Sequence, residues 1–284
     1  MTSSKDLDKY YTKAPVAQQC YEWMKPFVSD NTLYIEPSAG AGAFLSVVKP
    51  EAEIIGFDLV PEGSGIIQCD YTLTDVRSYL TPEQNAKNIV CIGNPPFGKK
   101  AKLAINFVNK SLNDFGLVGF ILPIQFRKWS AQKHIIPDGR LILDNTLPED
   151  SFELDGKTYK VRCSFQLWSL AHPEYADLRM RGKPETTHPD FDMWQFNRTL
   201  EAEKFFDYDW DFAVPRQGYQ DYTFKATDKS QCDRKKQWIF FKAKTEEALE
   251  NLRNLDFVAL SLKNTGIPGF GKADVVEMYQ SKYE

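Results

Sequence analysis

The residues of this chain best suited to chemistry are Asn94-Pro95-Pro96-Phe97, which end the apolar run Ile89-Val90-Cys91-Ile92. Two successive prolines cannot extend a strand ladder, because each fixes φ and offers no N–H. The tetrapeptide therefore reads as a rigid turn at the carboxyl end of a strand, the edge where open α/β sheets bind ligands. It presents a side-chain amide, outward-pointing carbonyls and an aromatic face. The Asn94 oxygen and a main-chain carbonyl are both acceptors, suited to an exocyclic –NH2 group, and Phe97 offers a surface for a flat ring. The combination is a clamp for an amino group on a planar ring.

A second set of residues lies upstream. Ile35-Glu36-Pro37-Ser38-Ala39-Gly40-Ala41-Gly42 is a small-residue loop after a strand. It lets the backbone turn tightly and approach a ligand before the next helix begins. Glu36 precedes the loop, and Asp58 follows at the next strand end, where a carboxylate can accept both hydroxyls of a ribose. Asp70-Tyr71 ends a third strand, with Asp70 suited to an adenine amino group and Tyr71 to packing beside the ring. The loop lacks both GxGxxG and GxxxxGK[ST], so neither a dinucleotide nor ATP is favoured. Each acid alone has a plainer reading: Glu36 as a helix N-terminal acid, Asp58 and Asp70 as turn or cap residues. Their arrangement at successive strand ends points instead to a nucleoside ligand.

Gathering these groups at one edge requires a parallel sheet, and the first two thirds of the chain has the alternation that builds one. Candidate strands are 33–36, 53–58, 65–69, 88–93, 116–122, 141–143 and 160–169, with helices over 14–27, 43–48, 99–115 and 129–136. Leu154-Asp155-Gly156-Lys157 reads as a tight turn joining the last two strands. The expected fold is α/β: a Rossmann-like, doubly wound, mainly parallel seven-stranded sheet ending in an antiparallel hairpin. After about Ala171 the pattern breaks into segments rich in Pro, Gly, acids and aromatics, before an amphipathic helix over 246–255. We place a soft boundary near residue 175, with a catalytic domain over 1–175 and a smaller α+β target-recognition or accessory region over 176–284.

Composition narrows the class of ligand. A net charge of −4 gives no general attraction to nucleic acid, so any such surface must be local. Locally, Lys99, Lys100, Lys102, Lys110, Arg127, Lys128, Lys133 and Arg140 face only Asp114 and Asp138. That run begins beside the clamp, where Lys99, Lys100, Lys102, Arg127 and Lys128 would meet phosphate and position a polyanion over the site. Solvated surface is the plain alternative. A second basic run (Lys229, Arg234, Lys235, Lys236, Lys242, Lys244) follows an acidic block from Glu201 to Asp211. The five cysteines show no CxxC spacing and read as free thiols in a reducing compartment. His134, His172 and His188 are dispersed, so no metal site is expected. No run approaches transmembrane length and the N-terminus lacks an apolar signal region. The expectation is a soluble intracellular protein, cytoplasmic or nucleoid-associated, with no membrane partner.

The glycine loop, Asp58, Asp70-Tyr71 and Asn94-Pro95-Pro96-Phe97 together resemble the class I S-adenosylmethionine-dependent methyltransferases, and more narrowly their N6-adenine branch. Lys9-Tyr10-Tyr11-Thr12-Lys13-Ala14-Pro15 is similar to the segment that contacts the cofactor's methionine end, with Lys13 where the family more often has proline. The order, cofactor segment first, then catalytic segment, then target-recognition region, resembles the gamma-group DNA adenine methyltransferases over residues 9–170. The resemblance implies S-adenosylmethionine as cofactor. Thr12 and the loop residues Ser38, Ala39, Gly40 and Gly42 would then hold its methionine moiety, with Glu36 facing the ammonium end. Asp58 would take the ribose and Asp70 the adenine amino group with Tyr71 beside the ring, and Tyr11, Pro37, Leu59 and Asn94 are further expected cofactor contacts. For Thr12, capping of the helix near Ala14 is the plain alternative.

An adenine N6 amine is a poor nucleophile, since its lone pair is delocalised into the ring. The Asn94 oxygen and the Pro95 carbonyl can accept both its N–H groups and favour a pyramidal nitrogen. They bind more strongly as that nitrogen gains charge. In duplex DNA the base must first leave the stack. Phe97 then needs a partner across the base, with Phe152, Phe126 and Trp129 as candidates. The same turn occurs in methyltransferases acting on guanine N2 or adenine N6 in RNA and on release-factor glutamines. The basic run and the aromatic C-terminal part argue against a single protein partner, and the gamma-like order favours DNA over RNA. A non-catalytic nucleic-acid-binding subunit of the same fold would be expected to have lost the acids or the clamp.

Overall fold

Alternating apolar runs and helical stretches build the first part of the molecule. The computed structural model describes residues 10–98, 101–154, 156–218, 221–263 and 267–284. A two-residue strand, β1 (Tyr11–Thr12), leads into α1 (Ala14–Met24), which buries Ala17, Cys20, Tyr21 and Met24 at helical spacing. Pro26 ends the α-helical hydrogen bonding, and residues up to Phe27 form a 3-10 turn instead of the expected continuation. Next come β2 (Thr32–Glu36), α2 (Ala43–Val48), β3 (Glu53–Asp58), β4 (Ile66–Gln68), α3 (Pro82–Asn85) and β5 (Asn88–Gly93). They are followed by α4 (Lys102–Phe115), β6 (Leu117–Pro123), α5 (Trp129–Gln132), β7 (Arg140–Thr146), β8 (Phe152–Leu154), β9 (Lys157–Tyr159) and β10 (Cys163–Ser169).

Seven of these strands form one sheet in the order β4-β3-β2-β5-β6-β10-β7. The pairs β3–β4, β2–β3, β2–β5 and β5–β6 are parallel, and β10 runs antiparallel between β6 and β7. This is the expected doubly wound, mainly parallel α/β sheet with its antiparallel end. Helices cover both faces, so β2, β6 and β10 are buried at every residue. One core joins Leu33, Phe57, Val108, Phe120 and Trp168, and the opposite one joins Cys20, Phe44, Val90, Ile121 and Phe165. Strand order reverses at β2, which has β3 on one side and β5 on the other. The crevice at the carboxyl ends of these strands is the ligand edge of such a sheet.

One expected feature is corrected. The turn from Leu154 to Lys157 does not join the last two strands of the main sheet. It closes the short hairpin β8–β9, inserted between β7 and β10, and β8 pairs antiparallel with β1. Turn chemistry is local and suits any hairpin; only long-range register decides which strands it joins. Asp155 lies outside the described residues.

The chain divides into two compact units, Met1–Arg181 and Gly182–Glu284. In the second, β11 (Phe191–Phe196), β12 (Phe212–Gln217) and β13 (Gln237–Ala243) form an antiparallel sheet with β13 central. The helices α6 (Glu246–Arg253), α7 (Phe257–Ser261) and α8 (Lys272–Tyr283) complete it. Side chains alternate between faces. Phe191, Met193, Val214, Ile239 and Phe241 pack with Leu252, Leu260 and Val276, while Phe196, Ala213, Trp238 and Phe240 pack with Phe206. The acidic block and the second basic run meet here. Lys229 pairs with Asp207 at 2.7 Å, Arg234 with Glu203, and Lys242 with Asp209 and Asp211 at 3.0 and 3.2 Å.

Candidate active site

The glycine loop is shaped by its own backbone before any ligand is considered. Gly40 and Gly42 have φ of +52° and +86°, conformations that side chains rarely adopt. The Gly42 N–H donates to the Ala39 carbonyl at 2.7 Å, and Gly42 leads directly into α2. Asp58 ties the loop to the next strand: one oxygen accepts the Gly40 N–H at 2.7 Å and the other the Val60 N–H at 2.8 Å. Each of these oxygens keeps a further acceptor lone pair. Tyr11 lies over the loop, its ring 3.7 Å from where a Gly40 side chain would start, and its hydroxyl donates to Glu62 at 2.6 Å.

Glu36 occupies the floor, 2% exposed. Its carboxylate accepts the Leu45 N–H of α2 at 3.1 Å, so the plainer reading of a helix N-terminal acid describes its protein contacts. Burial holds its carboxyl well above the usual value of 4.5, opposed by the Leu45 and Phe44 N–H groups and reinforced by Asp58. A buried acid in this state is stabilised in its charged form by a neighbouring cation. Asp70 accepts from the main-chain N–H and hydroxyl of Thr72 through one oxygen, at 2.9 and 2.6 Å.

The clamp lies at the end of β5. The Asn94 side-chain N–H donates to the Tyr10 carbonyl at 3.1 Å, which fixes the amide. Its carbonyl oxygen is buried and has no hydrogen-bond partner. An unsatisfied buried acceptor costs about 1–3 kcal/mol, so the geometry calls for a donor. Pro95 is buried beside it.

These groups converge. Tyr11, Thr12, Glu36, Pro37, Ser38, Ala39, Gly40, Gly42, Asp58, Leu59, Asp70, Tyr71, Asn94, Pro95, Pro96 and Phe97 all line one cavity of about 740 Å³. That volume suits a nucleoside-sized ligand. The cavity is acid-lined at the β2–β3 side, and Asn94 is part of its wall. Thr12 does not cap α1: the cap residue is Lys13, which makes no side-chain cap bond.

No family model matches the chain, and no curated protein sequence matches it. Among solved structures, it is similar to a Vibrio vulnificus protein described as a modification subunit of a type I restriction enzyme. The TM-score is 0.42 at 15% identity, over 57% of this chain and 45% of that one. A Pyrococcus horikoshii protein described as an RNA methyltransferase gives 0.43 at 14% identity, over 57% and 87%. The type IIL restriction-modification enzyme MmeI in complex with DNA gives 0.40 at 8% identity, over 95% and 51%. The chain thus spans under half the length of the modification subunit. Likeness at this level carries no residue correspondence.

Tyr71 lines the cavity while only 2% exposed; its hydroxyl bonds Ser111 at 2.8 Å, and one face of its ring stacks on Phe107 at 5.4 Å. The expected partners of Phe97 need correction. Phe152 and Phe126 are fully buried, and Trp129 lies under Lys133 at 4.7 Å outside the cavity lining. The ring beside Phe97 is Tyr10, with centroids 6.4 Å apart. Tyr10 directly precedes the Tyr11-Thr12 pair. Its signal was adjacency: a second aromatic next to a cavity-facing one. Leu103 and Phe107, one helical turn apart on α4, also line the cavity.

The first basic run is only partly available. Arg127 is held by Asp144 through two bonds of 2.8 and 2.9 Å and by Thr146 at 2.8 Å, so its charge is neutralised at the sheet end. Lys110 pairs with Asp114 at 2.8 Å. Lys102 is exposed on the first turn of α4, and Lys128 precedes α5. Lys99 and Lys100 lie outside the described residues. No group of three or more His, Cys, Asp or Glu among the described residues is placed to hold a metal ion, and none of the described helices is long and apolar enough to cross a membrane.

Proposed function

We propose that the chain is an S-adenosylmethionine-dependent N-methyltransferase acting on the exocyclic amine of a nucleic-acid base, N6 of adenine in DNA being favoured. The observation that carries this reading is the buried, donor-less oxygen of Asn94, a residue in the wall of an acid-lined cavity. The residues present fit the cofactor. Thr12 and the Ser38–Gly42 loop would hold its methionine end, Glu36 its ammonium, Asp58 the ribose hydroxyls, and Leu59 and Asp70 the adenine. When bound, S-adenosylmethionine supplies an electrophilic methyl group.

The chain's own residues do the rest. The Tyr10 carbonyl fixes the Asn94 amide through its N–H, and the amide oxygen is left without a protein partner. That oxygen and the Pro95 carbonyl accept the two N–H bonds of the target amine. Both acceptors bind more strongly as the nitrogen becomes positive, which is where their contribution to rate arises. Phe97 supports the base from one side. Pro95 and Pro96 keep the turn from relaxing, so little reorganisation accompanies the reaction. The order of the segments supports DNA over RNA.

The test is to incubate the protein with methyl-labelled S-adenosylmethionine and pools of DNA, RNA and protein, then identify the modified nucleoside by mass spectrometry. N6-methyladenine in DNA is the expected product. N6-methyladenosine or N2-methylguanosine in RNA would keep the clamp and change the polymer. Label in protein alone, or in nothing, rejects the proposal.

A further inference from the structure

We infer that the β8–β9 hairpin carries a second stacking platform, Tyr159, which receives an unpaired nucleic-acid base flanking the one held by Asn94–Phe97; this rests on the function proposed above. The hairpin is tied to the site through β1: Thr12 pairs with Phe152, and Phe152 pairs with Tyr159. Its rings continue outward from the clamp. Phe97 lies 6.4 Å from Tyr10, and Tyr10 stacks on Tyr159 at 4.7 Å with planes 20° apart. Tyr10 covers one face of Tyr159, and Tyr159 remains 39% exposed, so the exposed area belongs to the opposite face and edge.

Charge completes the surface. Lys157 shares a strand face with Tyr159, two residues away, and Lys160 follows directly; both are exposed. Neither has an ion-pair partner among the described residues, unlike Lys110 and Arg127 of the basic run beside the clamp. An exposed ring with one available cation on its own strand face and a second next to it in the chain is suited to unpaired nucleotides, the ring taking a base and the lysines adjacent phosphates. A base drawn into the cavity leaves its neighbours outside it, and Tyr159 stacks on Tyr10, which lines the cavity.

The test uses the full chain and a fluorescein-labelled single-stranded oligothymidylate, which offers stacking faces and phosphates but no target amine. Tyr159→Ala should weaken binding on the order of tenfold in anisotropy titrations, and Tyr159→Phe should restore it. Replacing Lys157 and Lys160 by Ala should reduce the salt slope by about 0.7 per lysine. S-adenosylhomocysteine affinity, measured by calorimetry, should stay unchanged in all variants, which also confirms folding. Tyr159→Ala binding within twofold of the parent overturns this inference, even if the parent methylates a base. A parent that methylates no nucleic acid sinks the function proposed above, and one that binds no oligothymidylate sinks the platform whatever it methylates.

Discussion

The Asn94 side chain donates its N–H to the Tyr10 carbonyl across 3.1 Å while its oxygen stays buried without a donor. One amide thus joins two segments far apart in the chain through its N–H and leaves its acceptor without a protein partner. Asn94→Ala should cut methyl transfer by about two to three orders of magnitude, the usual effect of losing one transition-state hydrogen-bonding group. S-adenosylhomocysteine binding, read by calorimetry, should be nearly unaltered. Retained turnover in a labelled-methyl assay would reject the clamp.

Glu36 gives the chain a pH dependence of definite sign. Its carboxyl is held well above 4.5 by burial, so the folded chain keeps a proton that the unfolded chain releases. Stability contributed by that proton is fully present below about pH 4.5 and falls as pH rises through the window above it, by at most about 1.4 kcal/mol per unit. Glu36→Gln keeps an acceptor for the Leu45 N–H and removes the titration. Thermal melts of the ligand-free variant should therefore fall less steeply with rising pH than those of the parent. An ammonium-bearing ligand should also release this proton. Calorimetry of S-adenosylhomocysteine in two buffers of different ionisation enthalpy should detect the release in the parent and not in Glu36→Gln.

Asp58 holds the loop as well as facing the cavity. Asp58→Ala leaves the Gly40 and Val60 N–H groups without their acceptor, at a cost of about 1–3 kcal/mol. The expected result is a lower melting temperature together with weaker S-adenosylmethionine binding. Unchanged affinity would remove the ribose role and leave only the structural one.

Arg127 is expected to be structural. Arg127→Ala strips Asp144 of its two-point partner and should cost about 1–2 kcal/mol in denaturant unfolding. The salt slope of nucleic-acid binding should not move. A slope reduced by about 0.7–0.9 would return Arg127 to phosphate contact.

Much of the site was legible because it is written locally. Apolar runs ending in Glu36, Asp58 and Gly93 specify largely buried parallel strands, with a half-buried edge strand ending in Gln68, and the breakers after them specify turns at the same edge. Once those strands stack side by side, the glycine loop, the acids and Asn94 converge without further instruction. The second unit was far less legible. Strands such as Phe191–Phe196 alternate faces, but they sit among Pro, Gly and charged segments that hide the period.

By itself, the sequence determined which residue types stand at the strand ends, and hence the acids, the loop and the rigid turn of Asn94-Pro95-Pro96-Phe97. Only the tertiary structure decided their partners. It gave Arg127 to Asp144, stacked Tyr71 on Phe107, set Tyr10 beside Phe97, and placed the Leu154–Lys157 turn in a hairpin against β1. The reason is physical. Strand propensity and turn chemistry act over a few residues, whereas register and ring contacts are settled by packing between segments that local pattern does not link.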